Sequence, residues 1–425
     1  MPQGNWRSLE LHQHHRALGL APRSTAVSPV FGGGIDIAMA KPVDPVTLIR
    51  PHAAARAARF FAEKFPGKAM YAVKANPDPA LIETLYANGI TTFDVASIAE
   101  VRLVARTVPD AGLCFMHPVK APEAIREAYF EHGVRTFSLD SIEELDKIVV
   151  ATTNDAGEAA ADLTLCVRLR VSSEHSALSL GAKFGVGPDE AKELLIRTRQ
   201  VADALGICFH VGSQAMTPEA YANAMERVRA AIVLAAVTVD VIDVGGGFPS
   251  AYPGMTPPPL ERYFETIHRA FESLPVSYSA ELWAEPGRAL CAEYSSVVVR
   301  VERRRGNELY INDGAYGSLF DAAHIGWNYP VALLREPQST VRDHPFSFWG
   351  PTCDDLDRME GPFPLPADVG TGDFIEVGML GAYGAAMRTA FNGFGTGETV
   401  AVSDEPMASM YAGEQPAVQP NVVKL

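Results

Sequence analysis

The sequence predicts an α/β chain built as a (β/α)8 TIM-like barrel followed by a mainly antiparallel β domain. Short apolar runs alternate with longer amphipathic stretches about eight times over roughly 245 residues, the rhythm of a closed barrel more than of an open doubly wound sheet. After Arg288 that rhythm stops. Stretches such as "YSSVVVRVERRRGNELYIND" and "GDFIEVGMLGAYG" alternate apolar and polar residues between Gly, Pro and Asp turns, as antiparallel strands do. Several apolar runs also end on a polar side chain, as barrel strands do where their C-terminal ends build a site. The expected organisation is an N-terminal segment, residues 1–42, joining the β domain; a barrel, 43–288; and the β domain, 289–425.

In chain order, "PALIETLYANGI" reads as a helix closing on Gly89, "TTFDVAS" as a strand, "IAEVRLVARTV" as a helix and "GLCFMHP" as a strand. "PEAIREAYFEHG", "VRTFSLDS", "IEELDKIVV", "LTLCVRLRV" and "PDEAKELLIRTRQVADALG" continue the alternation. It runs on through "ICFHVGSQ", "PEAYANAMERVRAAIVLAAV", "VDVIDVGGGFP", "LERYFETIHRAFESL" and "ELWAEPGRAL".

A chain of 425 residues with 47% hydrophobic content can bury a sizeable core and hold two domains. Its formal net charge of -15 opposes a nucleic-acid backbone. No apolar run approaches the ~18 residues of a membrane span, and the polar start lacks a signal-peptide apolar region, so the expected compartment is the cytoplasm. Four of the five cysteines, Cys114, Cys166, Cys208 and Cys291, sit among apolar neighbours and read as core. Cys353, in "WGPTCDDLD", has the polar company of a loop and is a candidate reagent. His12, His14 and His15 read as part of a solvated N-terminal segment and are assigned no chemistry.

The stretch "MYAVKANPDP" ends a buried strand on a lysine, Lys74, because Ala-Asn-Pro-Asp-Pro cannot continue a central strand. Asp94, Arg170, His210, Asp243 and Glu285 end other runs in the same way, and five charges or polar groups converging on one rim imply a ligand. In "DVGGGFP", Gly245, Gly246 and Gly247 let backbone N–H groups approach an anion with no Cβ in the way. A tight strand-to-helix turn would account for three glycines alone; Arg288 and Ser213 on neighbouring loops favour a phosphate. A rim lysine, a phosphate cradle and a rim carboxylate together fit pyridoxal 5'-phosphate.

The segments "YAVKANPDP", "FDVAS", "HVGSQ", "DVGGGFP", "EPGR", "NDGAYGS", "GPTCDDLD", "GAYG" and "FNGF" occur in one order. Over about residues 40 to 400 that order resembles the fold-type III pyridoxal-phosphate decarboxylases, the ornithine and diaminopimelate decarboxylase family, whose two-domain plan is shared with alanine racemase. "GPTCDDLD" is more similar to the ornithine/lysine branch than to the diaminopimelate branch. The resemblance implies that Lys74 links to the cofactor aldehyde. Gly245, Gly246, Gly247, Arg288 and Tyr383 would hold the phosphate with help from Ser213, Glu285 would pair with the pyridine nitrogen, and His210 would stack on the ring. Asp94, Glu100 and Arg170 would lie on the cofactor's side, Asp94 tuning Lys74. Cys353 would return a proton to Cα after CO2 leaves, from a loop that in this family belongs to the other subunit of a homodimer. Asp321 and Asp354 would face a terminal ammonium, as in ornithine or lysine, giving putrescine or cadaverine for polyamine biosynthesis. Asp355 departs from the Gly or Ser that relatives often carry. Diaminopimelate, arginine or carboxynorspermidine decarboxylation, a racemase and a non-catalytic homologue that binds a regulatory protein are the alternatives.

Overall fold

The structure, a computed structural model, describes residues 31–411; His12, His14, His15 and the rest of 1–30 lie outside the described residues. The first strand, β1 (Val46–Ile49), pairs antiparallel with the first strand after the barrel and parallel with one near the chain's end. It therefore belongs to the sheet domain, although it falls within the span expected for the barrel. Its long-range partners, residues 295–298 and 398–401, leave no local trace in sequence. The barrel itself is built from β2 (Lys68–Ala72), β3 (Thr92–Val95), β4 (Gly112–Phe115), β5 (Thr136–Leu139) and β6 (Thr164–Arg168). β7 (Ser176–Leu178) and β9 (Ser213–Ala215) form a separate ribbon, while β8 (Ala204–Cys208), β10 (Val241–Asp243) and β11 (Glu281–Ala284) complete the barrel. The eight barrel strands are parallel and close in the order β10-β11-β2-β3-β4-β5-β6-β8.

Local chemistry sets where the helices begin. Pro79, Pro122 and Pro188 occupy the first helical position, where the missing N–H costs nothing. Ser97 accepts from the Glu100 N–H while Glu100 accepts from the Ala96 N–H, a two-way cap on the helix Ile98–Thr107. Inside the barrel, Met70, Cys114, Met116, Cys166, Cys208, Val241 and Trp283 pack into a core of their own. All four cysteines expected to be core are buried.

Beyond the barrel come β12 (Ser295–Arg305), β13 (Glu308–Ile311), β14 (Val331–Leu334), β15 (Asp343–Trp349), β16 (Arg358–Pro366), β17 (Phe374–Val377) and β18 (Glu398–Ala401). With β1 they make an eight-stranded sheet that is mainly antiparallel, β1–β18 and β13–β15 being its parallel pairs. The helix Gly34–Met39 packs Ile37 and Ala38 against Val46, Val298 and Phe374, so the residues just before β1 sit on this domain too. Buried Arg50 ties the β1 end to it through Glu376 (2.8 Å) and Ser296 (2.8 Å).

Candidate active site

Lys74 sits in a single 3-10 turn, Val73–Ala75, just past the end of β2. The turn is held by long-range bonds: Asn76 donates to the Gly381 carbonyl (2.8 Å), and the Tyr383 N–H donates to the Ala75 carbonyl (2.8 Å). Asp78 then caps the next helix through the Ala80 N–H (3.1 Å). "KANPDP" is thus the seam where the barrel mouth is sewn to the second domain, and it aims Lys74 across to β3. Its Nζ lies 2.6 Å from Asp94 Oδ2, which is buried. The lysine side chain is 41% exposed, while the Asp94 carboxylate it meets is buried. Burial works against the charged amine, but the charges of Asp94 and Glu285 outweigh it and raise its pKa above the usual value.

Beneath the lysine, the β10 and β11 strand ends bring Asp243 and Glu285 into contact, both buried. Asp243 Oδ1 accepts from the Gly245 N–H (2.8 Å), while its Oδ2 is buried without a hydrogen-bond partner. Burial raises the pKa of both carboxyls; repulsion by Asp243 and Asp94 raises Glu285 further, whereas its hydrogen bonding leaves Asp243 at about 6.

The glycine loop follows. Gly245 and Gly247 have φ of 67° and 103°, the left-handed region, and a Cβ on Gly245 would stand 2.0 Å from the Phe209 carbonyl oxygen. A Cβ on Gly246 would meet the Glu285 carbonyl at 2.9 Å and His210 Nε2 at 3.0 Å, so this backbone is wedged between those two residues. His210 accepts from the Gly212 N–H through Nδ1 (3.0 Å), which leaves Nε2 as the protonated nitrogen of the neutral ring. Burial, then the charges of Arg168 and Lys74, lower its pKa to about 3.

Arg288 opens the short helix Arg288–Cys291 and is buried. It donates to Tyr252 Oη (3.1 Å) and Asp321 Oδ2 (3.3 Å), lies within 3.5 Å of Ser213 Oγ, and stacks near Trp327 and Tyr383. Its Nε is buried without a partner. That orphaned donor, the Cβ-free loop and the amine opposite a buried acid pair suit an anionic phosphate, a ring nitrogen and an aldehyde in turn.

The structure thus brings together Lys74, Asp94, His210, Ser213, Gly245–Gly247, Glu285, Arg288, Asp321 and Tyr383. Arg170 and Glu100 lie at the edge of this cluster. Arg170 lies past the end of β6 with its side chain exposed; the inward arginine is Arg168, in register with Cys208, which is in register with Asp243. Both arginines have the parity of Cys166, and only the strand's length separates them. Glu100, the helix cap described above, lies within reach of the Asp94 and Lys74 charges.

Cys353 and Asp354 lie elsewhere in this chain. They line an open groove of about 800 Å³ on the sheet domain with Arg300, Tyr310, Trp349 and Asp355, and no residue of the Lys74 cluster lines it. Cys353 is exposed. Asp354 accepts from the Leu356 N–H (3.0 Å) and from the Tyr316 hydroxyl, bonds that lower its pKa. Nothing in the sequence around Tyr316 signals this contact, which spans 38 positions.

Comparison with known proteins agrees with this geometry. Residues 52–292 match the family model of the pyridoxal-binding domain of pyridoxal-dependent decarboxylases, and residues 290–381 match that of their C-terminal sheet domain. The chain is 30% identical over 345 residues to a lysine/ornithine decarboxylase of Selenomonas ruminantium, covering 79% of this chain and 84% of that one. It superposes on the lysine/ornithine decarboxylase of Vibrio vulnificus complexed with cadaverine (TM-score 0.74, 29% identity, 87% and 98% of the two chains). The arginine decarboxylase of Paramecium bursaria Chlorella virus bound to agmatine is similarly close (TM-score 0.76, 27% identity, 86% and 98%). With the barrel, the sheet domain and the Lys74 cluster all accounted for, this chain belongs to the pyridoxal-dependent decarboxylases.

Proposed function

We propose that this enzyme removes the α-carboxylate of a basic L-amino acid, ornithine or lysine, to yield putrescine or cadaverine, at sites shared between two copies of the chain. The observation that carries this reading is the pairing of Lys74 with Asp94 opposite the Asp243–Glu285 acid pair, beside the Gly245–Gly247 and Arg288 cradle. When bound, the cofactor supplies an aldehyde and an electron-withdrawing pyridine ring. Lys74 would anchor it through its amine, whose charge Asp94 sets. The glycine loop, Ser213, Arg288 and Tyr383 would hold the phosphate, and Glu285 would pair with the ring nitrogen. His210, held neutral, offers a flat face to the ring without adding charge. Cys353 of the second copy delivers a proton to Cα once CO2 has left.

The substrate class rests on two carboxylates. Asp321 stands half-buried beside Arg288, and Asp354, next to Cys353, keeps its charge through two donated hydrogen bonds. Relatives named as lysine/ornithine decarboxylases support the same class. The five thiols, none in a disulfide, suit a reducing cytoplasmic compartment, and among the described residues no helix is long and apolar enough to cross a membrane. Mass spectrometry of products after separate incubation with ornithine, lysine, arginine and diaminopimelate tests the proposal. Putrescine or cadaverine is expected; agmatine or lysine as the main product overturns it.

A further inference from the structure

The segment "FNGF", residues 391–394, has no part in the roles assigned so far, yet it grips the loop that carries Cys353. Asn392 Oδ1 accepts from the Cys353 backbone N–H at 3.0 Å. Asn392 has φ of 55°, a conformation asparagine tolerates better than most residues, and that twist is what turns its short side chain toward the loop. The neighbouring Phe391 ring packs on Tyr316 with centroids 4.9 Å apart, and the Thr389 N–H donates to the Tyr316 carbonyl (2.9 Å). Tyr316 in turn donates its hydroxyl to Asp354. Consecutive residues, Cys353 and Asp354, are therefore clamped by one bracket.

Resting on the reading of Cys353 as the proton donor, we propose that Asn392 is a positioning residue that fixes where the Cys353 thiol points, and thereby which carbon receives the proton. The balance is simple. Loss of CO2 leaves an electron pair; the Cys353 S–H bond breaks, its proton joins substrate Cα, and the thiolate takes a proton back from water. A proton delivered instead to the cofactor's own carbon, followed by hydrolysis, leaves the amino group on the cofactor and releases an aldehyde. A thiol free to swing loses its preference between the two carbons. Asn392 and Cys353 are both exposed on the single chain, so at Cys353 itself the hydrogen bond from Asn392 acts without burial, while Thr352 on the loop's other side is held by Asp357.

Two variants separate this role from a merely structural one. Asn392→Gly keeps access to the left-handed backbone at an exposed position and removes the acceptor; Asn392→Asp keeps both the acceptor and the backbone preference. The ratio of aldehyde to diamine is measured by mass spectrometry, the conversion of cofactor to its amine form by absorbance, and folding by thermal melting. Loss of one hydrogen bond predicts an aldehyde fraction raised roughly three- to ten-fold in Asn392→Gly, with melting little changed, and a return to within about two-fold of the parent in Asn392→Asp. An unchanged ratio in folded Asn392→Gly, or an Asn392→Asp ratio as high as that of Asn392→Gly, overturns the proposal. Cys353→Ala, run in parallel, must itself raise the aldehyde fraction. If it does not, the reading of Cys353 fails; if it does while Asn392→Gly stays like the parent, only the role of Asn392 fails.

Discussion

A histidine whose pKa is pushed down to about 3 is a base that stays unprotonated through the whole working range of an enzyme. The sign matters: a depressed histidine pKa favours the neutral ring at every pH above that value, so His210 takes up no proton between pH 8 and 5. Any acidic limb in the rate profile then belongs to other groups. Asp243, pushed up to about 6 by burial, takes up its proton in that window as pH falls. His210→Asn is expected to lower kcat/KM while leaving the midpoint of the acidic limb within about 0.3 pH units, whereas Asp243→Asn should move that limb; each is read from kcat/KM against pH. Asp354 gives a second test at the same scale. Asn keeps its size and can still meet the Tyr316 hydroxyl and the Leu356 N–H, but it carries no charge toward a substrate ammonium. Asp354→Asn should lower kcat/KM on the preferred diamino acid at least roughly ten-fold, with the cofactor's absorption spectrum retained. An unchanged kcat/KM on both ornithine and lysine would refute its role.

At the scale of elements, the glycine loop is where backbone geometry and chemistry coincide. A Cβ on Gly245 meets a carbonyl oxygen at 2.0 Å in a conformation with φ of 67°. Both penalties act at once, so Gly245→Ala should lose more than about 2 kcal/mol of stability and most cofactor affinity, measured by denaturant unfolding and by titration with pyridoxal phosphate. The loop was legible because three glycines after an apolar run admit few readings, and the barrel because its period repeats. Lys74 was legible for a related reason: a charge that stops a buried strand needs a partner, and Asp94 supplies it. Arg168 was not, because the end of β6 is decided by pairing with β8 rather than by anything within "CVRLRV". Likewise the placement of β1 and the bracket around Cys353 depend on partners dozens or hundreds of positions away. What alternates or repeats can be read locally; what is assembled by the finished fold cannot.

At the scale of the whole molecule, one chain displays two half-sites that do not meet. The Lys74 cluster faces the barrel mouth, while Cys353 and Asp354 face an open groove lined only by sheet-domain residues and Val43–Pro45. In the twofold pairing proposed above, each groove would close over the other copy's barrel mouth, because a symmetric interface repeats every contact twice. Complementation follows from that arithmetic. A Lys74→Ala chain still offers Cys353, and a Cys353→Ala chain still offers Lys74. In a mixed dimer one site recovers both residues and the other loses both. Random pairing makes half the dimers mixed, each with one working site of two, so coexpressed chains should show about a quarter of parental activity although each alone is nearly inactive. The measurement is diamine production by the coexpressed mixture, and by mixed dimers isolated through different tags on the two chains, which should reach about half of parental activity. Mixed dimers that form and remain as inactive as either parent would show that Cys353 does not serve a partner's site.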